Sequence, residues 1–98
     1  MKFWPQLKEH PPLLPDLQAQ LAKDLDLENT AVPAKDLITW LDKYLQDFIA
    51  QGGNLAQLLY RIDLDQTGIR HNTKELALQI LERQAQKVIF RAQYSGKL

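Results

Sequence analysis

Apolar residues recur at three- and four-residue steps along most of the chain, which is the spacing of one face of an α-helix. The pattern predicts a small all-α fold with four helices, over residues 15–27, 33–51, 54–62 and 73–94. The second helix has the widest apolar face, so we expect it to form the centre of the core. A chain of 98 residues is long enough for one domain, which we place over residues 1–98.

Residues at the predicted helix ends support these boundaries. Pro15 suits the first turn of the first helix, because its missing N–H has no intrahelical partner there. Gly52 and Gly53 end the second helix, because glycine readily adopts the left-handed conformation past a helix C-terminus. Asn54 and Asn72 are N-cap residues for the third and fourth helices.

Prolines dominate the beginning of the chain, at positions 5, 11, 12 and 15. Proline lacks the backbone donor and restricts the residue before it, so residues 1–14 are expected to form an extended arm. The arm also carries Phe3, Trp4 and Leu7, which should lie across the domain or across a neighbouring subunit. Residues 95–98 are expected to be a short tail.

Composition excludes several classes of protein. The chain contains no cysteine, which rules out disulfides, thiolate metal sites and cysteine nucleophiles. Its apolar runs are shorter than the roughly 18 residues that cross a bilayer, and charges and prolines interrupt the start before a signal peptide could form. We therefore expect a cytoplasmic protein.

Charge is balanced in total but unevenly distributed. Residues 1–69 carry a net charge of −4, and residues 70–98 carry +4. The simpler interpretation is that acidic helices and the basic last helix attract each other within the fold or between subunits. The other interpretation is an anionic partner.

One segment resembles a metal-binding motif. Residues 63–68 read like the first half of an EF-hand calcium loop, with oxygen-bearing side chains at Asp63, Asp65 and Thr67 and glycine at position 68. The second half fails, because Lys74 occupies the position that needs a bidentate glutamate. We expect a tight turn and no metal site.

Catalytic arrangements are missing from the sequence. The two histidines, His10 and His71, and the one serine, Ser95, lack the neighbours that an acid–base pair or an activated nucleophile requires. The paired glycines follow a helix and lack the lysine and hydroxyl of a phosphate loop. The chain is therefore expected not to be an enzyme, and no cofactor or small-molecule substrate is indicated.

The last helix carries two apolar stripes, whereas one wide stripe suffices for a four-helix monomer. The second stripe consists of Leu76, Ile80, Phe90 and Tyr94, with basic residues between them. The N-terminal arm could cover it, a second copy of the chain could cover it, or a different protein or nucleic acid could.

We therefore expect a non-catalytic interaction or regulatory module, homodimeric through the last helix. The alternative is a nucleic-acid-binding protein that uses the same basic residues, with the third and fourth helices arranged like a helix-turn-helix. The connection between these helices is long and acidic for that motif. The predicted partner-binding residues are Ile80, Arg83, Lys87, Phe90, Arg91 and Tyr94.

Overall fold

Helices make up all the regular structure in the described part of the chain, residues 1–28, 31–64 and 72–96 of a computed structural model. They are α1 (Phe3–Lys8), α2 (Leu14–Asp24), α3 (Leu37–Ala50), α4 (Leu55–Ile62) and α5 (Thr73–Tyr94), with a 3₁₀ turn at Pro11–Leu13. The all-α fold class is confirmed. The four predicted helices correspond to α2–α5.

Two predicted helix boundaries shift by three or four residues because aspartates adopt the left-handed backbone conformation. Asp36 has φ +55° and immediately precedes α3, so the helix begins there and not at residue 33. Asp26, with φ +58°, lies just past the end of α2, which stops at Asp24 and not at residue 27. A left-handed residue interrupts the right-handed helical geometry.

The predicted caps are confirmed. The Asn54 side chain accepts the Gln57 N–H, and the Asn72 side chain accepts the N–H groups of Lys74 and Glu75. Gly52, at φ +83°, follows α3 and allows a Schellman closure in which the Gly53 N–H donates to the Phe48 carbonyl at 2.8 Å.

The N-terminal segment is not an extended arm. Residues 3–8 form α1 with Trp4 and Leu7 buried, and Leu13 is buried in the 3₁₀ turn. The prediction was wrong because Pro5 lies in the first turn of α1, where the missing N–H costs no intrahelical hydrogen bond. Pro11 and Pro15 occupy equivalent first-turn positions in the elements that follow.

The helix at the centre of the fold is α5, not α3 as expected. It packs against α1, α2, α3 and α4, with its largest interface on α3. It buries nine residues between Leu76 and Ala92, whereas α3 buries only Leu37, Leu41 and Leu45. The buried apolar side chains of all five helices form one cluster. A single core therefore surrounds α5, and the nine buried residues of that helix are not available to a partner.

Candidate functional site

The six predicted partner-binding residues of α5 do not share one surface. Ile80 is fully buried in the core, whereas Phe90 is 43% exposed and Tyr94 is 94% exposed. Ile80 cannot contact a partner in this structure. The reason is that α5 is covered on more sides than a helix at the edge of a bundle, so its second apolar stripe is partly core.

Arg83 is used within the chain. Its guanidinium donates to the side chain and to the backbone carbonyl of Asp63, at 2.7 and 3.2 Å, and also to Gln86 at 2.8 Å. The Asp63 side chain is 81% exposed, so solvent screens this ion pair and it contributes at most about 1 kcal/mol. Arg83 thus connects α5 to the end of α4.

Lys87 takes part in a buried polar network between α2 and α5. One oxygen of Asp24 accepts hydrogen bonds from Lys87, Gln84 and Gln20, at 3.1, 2.7 and 2.9 Å. Burial acts to raise the pKa of Asp24, but these three hydrogen bonds and the charge of Lys87 together hold it below its ordinary value. The carboxylate is therefore ionised at neutral pH, and it neutralises Lys87.

Arg91 extends the same network. It donates to the side-chain oxygen of Gln20 at 2.9 Å. Gln84, in the middle of the network, is completely buried, and its side-chain oxygen has no hydrogen-bond partner in the described part of the chain. Sequence reasoning missed Gln84, because a glutamine among charged residues resembles the solvent-facing side of a helix.

The uneven charge distribution is explained in part by these contacts. Two ion pairs, Arg83–Asp63 and Lys87–Asp24, join the basic last helix to acidic residues from the earlier part of the chain. Attraction within the fold, the simpler of the two interpretations, therefore accounts for Arg83 and Lys87. The guanidinium of Arg91 donates to the neutral side chain of Gln20.

Phe90 and Tyr94 are the exposed aromatic residues of α5. We call the surface that consists of Phe90, Arg91 and Tyr94 the distal surface. Phe90, Gln93 and Tyr94 line a shallow concavity of about 310 Å³. The Phe3 ring meets Phe90 edge-on, with ring centroids 5.3 Å apart. The N-terminal segment thus covers part of the second stripe, as one of the three interpretations expected, but it leaves Tyr94 uncovered.

A row of aromatic rings on α3 was also missed. Trp40, Tyr44 and Phe48 stack in sequence, with centroid separations of 5.8 and 6.2 Å. They are half-buried and pack on the core cluster. Their four-residue spacing was a signal for the row, because residues four apart lie on the same face of a helix.

A metal centre finds no support in the described ranges, which contain no group of three or more histidine, cysteine or acidic residues placed to hold an ion. Asp63 ends α4 in the left-handed conformation and accepts from Arg83. The rest of the calcium-like string, residues 65–68, lies outside the described residues, as do Arg70, His71 and most of the connection relevant to a helix-turn-helix.

Comparisons of this chain with protein families, with curated proteins and with solved structures found no match. Of the helices described, none combines the length and the apolar character that crossing a bilayer requires. Interpretation of the site therefore depends on its own geometry.

Proposed function

We propose that this protein is a non-catalytic interaction module that binds a protein partner through the distal surface of α5. The exposure of two neighbouring aromatic side chains, Phe90 and Tyr94, is the observation that carries the proposal. Aromatic residues and arginine supply most of the binding energy in protein interfaces, because they bury large areas at low entropic cost. Arg91 lies within one turn of both residues along α5.

Neighbouring side chains of α1 and α2 contact two residues of the distal surface. Phe90 rests against Phe3, and Arg91 is held by Gln20, so two of its three residues have defined positions before a partner arrives. Pre-positioned side chains lose less entropy on binding than free ones. The three residues lie at the end of the central helix of the fold, whose last residue is Tyr94.

The first partner to test is a second copy of the chain. A two-fold dimer needs a self-complementary patch, and aromatic rings stacking against the same rings of a second copy meet that need. Nucleic acid is a weaker fit, because Asp63 and Asp24 already pair with Arg83 and Lys87.

Sedimentation velocity from about 1 to 200 μM tests self-association directly. We expect a dimer with twice the 11.3 kDa mass of the chain. The Tyr94→Ala substitution should weaken the association of its two copies. Tyr60→Ala is the matched control, because Tyr60 is 81% exposed on a different helix. A chain that stays monomeric throughout this range contradicts the dimer. The fluorescence anisotropy of a labelled oligonucleotide at about 50 mM salt tests the alternative, nucleic-acid binding, since phosphate contacts are strongest at low ionic strength.

A further inference from the structure

A second apolar recess has charged residues at its edge and is formed by residues between positions 4 and 37, far along the chain from the distal surface. It is a groove of about 290 Å³ between α1, the beginning of α2 and the segment that leads into α3. Trp4, Leu7 and Leu37 line it and are all buried, so its floor belongs to the core. Leu14, half-buried, forms another part of the wall. The shape of the floor is thus fixed by the fold.

The edge of the groove carries one positive and one negative side chain. Lys8 lies over the Trp4 ring, with its ammonium nitrogen 5.4 Å from the ring centroid. Asp36 is exposed on the opposite chain segment. Neither of them belongs to an ion pair with any residue that the structure describes. Two opposite charges of the groove are therefore free to meet charges of a ligand.

The Asp36 carboxylate forms no hydrogen bond or ion pair with the residues in the described ranges 1–28, 31–64 and 72–96. The residue stands at the N-cap position of α3, where an aspartate side chain usually accepts an N–H of the first turn, but it forms no such bond. Its left-handed backbone also costs more for aspartate than for glycine. A carboxylate at the edge of an apolar groove, without a partner among the described residues, is available to bind a cationic group.

We propose that this groove binds a free α-amino acid with a large apolar side chain. The apolar side chain would occupy the floor formed by Trp4, Leu7 and Leu37. The ligand ammonium would pair with Asp36, and its carboxylate with Lys8. A mostly apolar lining with a few polar groups that set orientation is the usual design of a small-ligand site, and this volume is near its lower limit. An apolar side chain of a protein partner would use the floor but neither charge.

The test uses L-phenylalanine as the probe and Trp4 as the reporter. The chain has two tryptophans, so the experiment is done in a Trp40→Phe background, in which emission excited at 295 nm comes from Trp4 alone. We expect a saturable change in emission with a Kd of about 1 mM or tighter, in keeping with the affinity that a ligand of this size can reach. Glycine, which has the charges without the apolar group, should give no change at the same concentrations.

The charges are tested with two analogues and two variants. 2-Phenylethylamine lacks the carboxylate and 3-phenylpropionate lacks the ammonium, and each should bind about two- to fivefold more weakly than phenylalanine. Lys8→Gln should weaken the binding of phenylalanine by a similar factor and leave the binding of phenylethylamine unchanged. Asp36→Asn should do the same without affecting phenylpropionate, since asparagine also tolerates the left-handed backbone. Lys43→Gln and Asp47→Asn serve as charge-matched controls, because both residues are exposed on α3 and neither they nor their sequence neighbours line the groove.

Three results would overturn the proposal. The first is the absence of a saturable Trp4 signal up to 20 mM phenylalanine, with no accompanying amide shifts around the groove by NMR. The second is equal affinity for phenylalanine and for both single-charge analogues, which would indicate a purely apolar recess. The third is an effect of Lys8→Gln or Asp36→Asn no larger than that of its matched control. None of these results depends on whether the distal surface of α5 binds a partner.

Discussion

Glu82 should account for a measurable part of the stability, because it replaces a missing N-cap on α1. Lys2, at the N-cap position, forms no side-chain cap. Instead the Glu82 carboxylate, on α5, accepts the N–H groups of Lys2, Phe3 and Trp4 at 2.9–3.0 Å. Because these donors lie in the first turn, they have no intrahelical acceptor. One carboxylate therefore caps α1 and fixes it to the central helix.

Glu82→Gln tests the charge on this cap. Loss of a capping side chain lowers the free energy of unfolding by about 1–2 kcal/mol. Because glutamine keeps a neutral acceptor, we expect Glu82→Gln to cost about 1 kcal/mol and Glu82→Ala to cost about 2 kcal/mol. For a domain of this size, in which 1 kcal/mol corresponds to about 4–8 °C, the two variants should lower Tm by about 4–16 °C. Glu28→Gln, at an exposed loop position, should change the free energy of unfolding by less than about 0.5 kcal/mol.

The effect should depend on pH in a defined direction. Burial acts to raise the pKa of Glu82, but the backbone hydrogen bonds from Trp4, Phe3 and Lys2 lower it overall below the ordinary 4.5. The pKa of Glu82 is lower in the folded state than in the unfolded state. The contribution of the Glu82 charge to stability is therefore complete above pH 4.5, and it is lost as the pH falls through the folded-state pKa.

Thermal unfolding by circular dichroism at pH 7 and pH 3 measures this contribution. The gap in Tm between the wild type and Glu82→Gln should be large at pH 7 and should shrink at pH 3. A gap of the same size at both pH values would refute the role of the charge. An unchanged Tm at pH 7 would refute the cap itself.

Three further substitutions test other parts of the fold by thermal or denaturant unfolding. Asp26→Gly should raise the free energy of unfolding by about 0.5–1 kcal/mol relative to Asp26→Ala, since φ is +58° there, and equal stabilities would contradict this. Asp24→Ala should cost about 3 kcal/mol, because it leaves Lys87 without its partner in a largely buried site, and a cost below 1 kcal/mol would count against the network. Gly53→Ala should cost about 1–3 kcal/mol, because the added carbon would lie 2.6 Å from the Phe48 ring; an unchanged stability would mean that the ring moves freely.

Local signals were sufficient for the part of the fold that local chemistry determines. The bounds of α5 agree with the prediction because Asn72 caps its first turn and the apolar spacing continues to Tyr94. The end of α3 agrees within one residue because Gly52 closes it. In these places one side chain and its neighbours decide the backbone.

Tertiary packing decided the rest, and sequence periodicity could not anticipate it. The prolines before residue 15 are compatible with an extended arm or with short helices that each begin at a proline, and burial of Trp4 and Leu7 selects the helices. Periodicity also shows that Ile80 and Phe90 belong to a second stripe, but not which of them is covered. The structure buries Ile80 completely and leaves Phe90 43% exposed.

The rotation of α5 about its axis determines which residues reach the distal surface, and apolar packing alone specifies that rotation weakly. A helix that is apolar around more than half its circumference can bury similar areas at several rotations. The hydrogen bonds of Gln84 and Lys87 to Asp24 are directional, so they are formed at one rotation only. We therefore interpret the buried network as the element that keeps Phe90 and Tyr94 facing outward. The Asp24→Ala variant tests this interpretation as well: under conditions where it remains folded, the ring resonances of Phe90 and Tyr94 should broaden or shift, and unchanged resonances would show that packing alone sets the rotation.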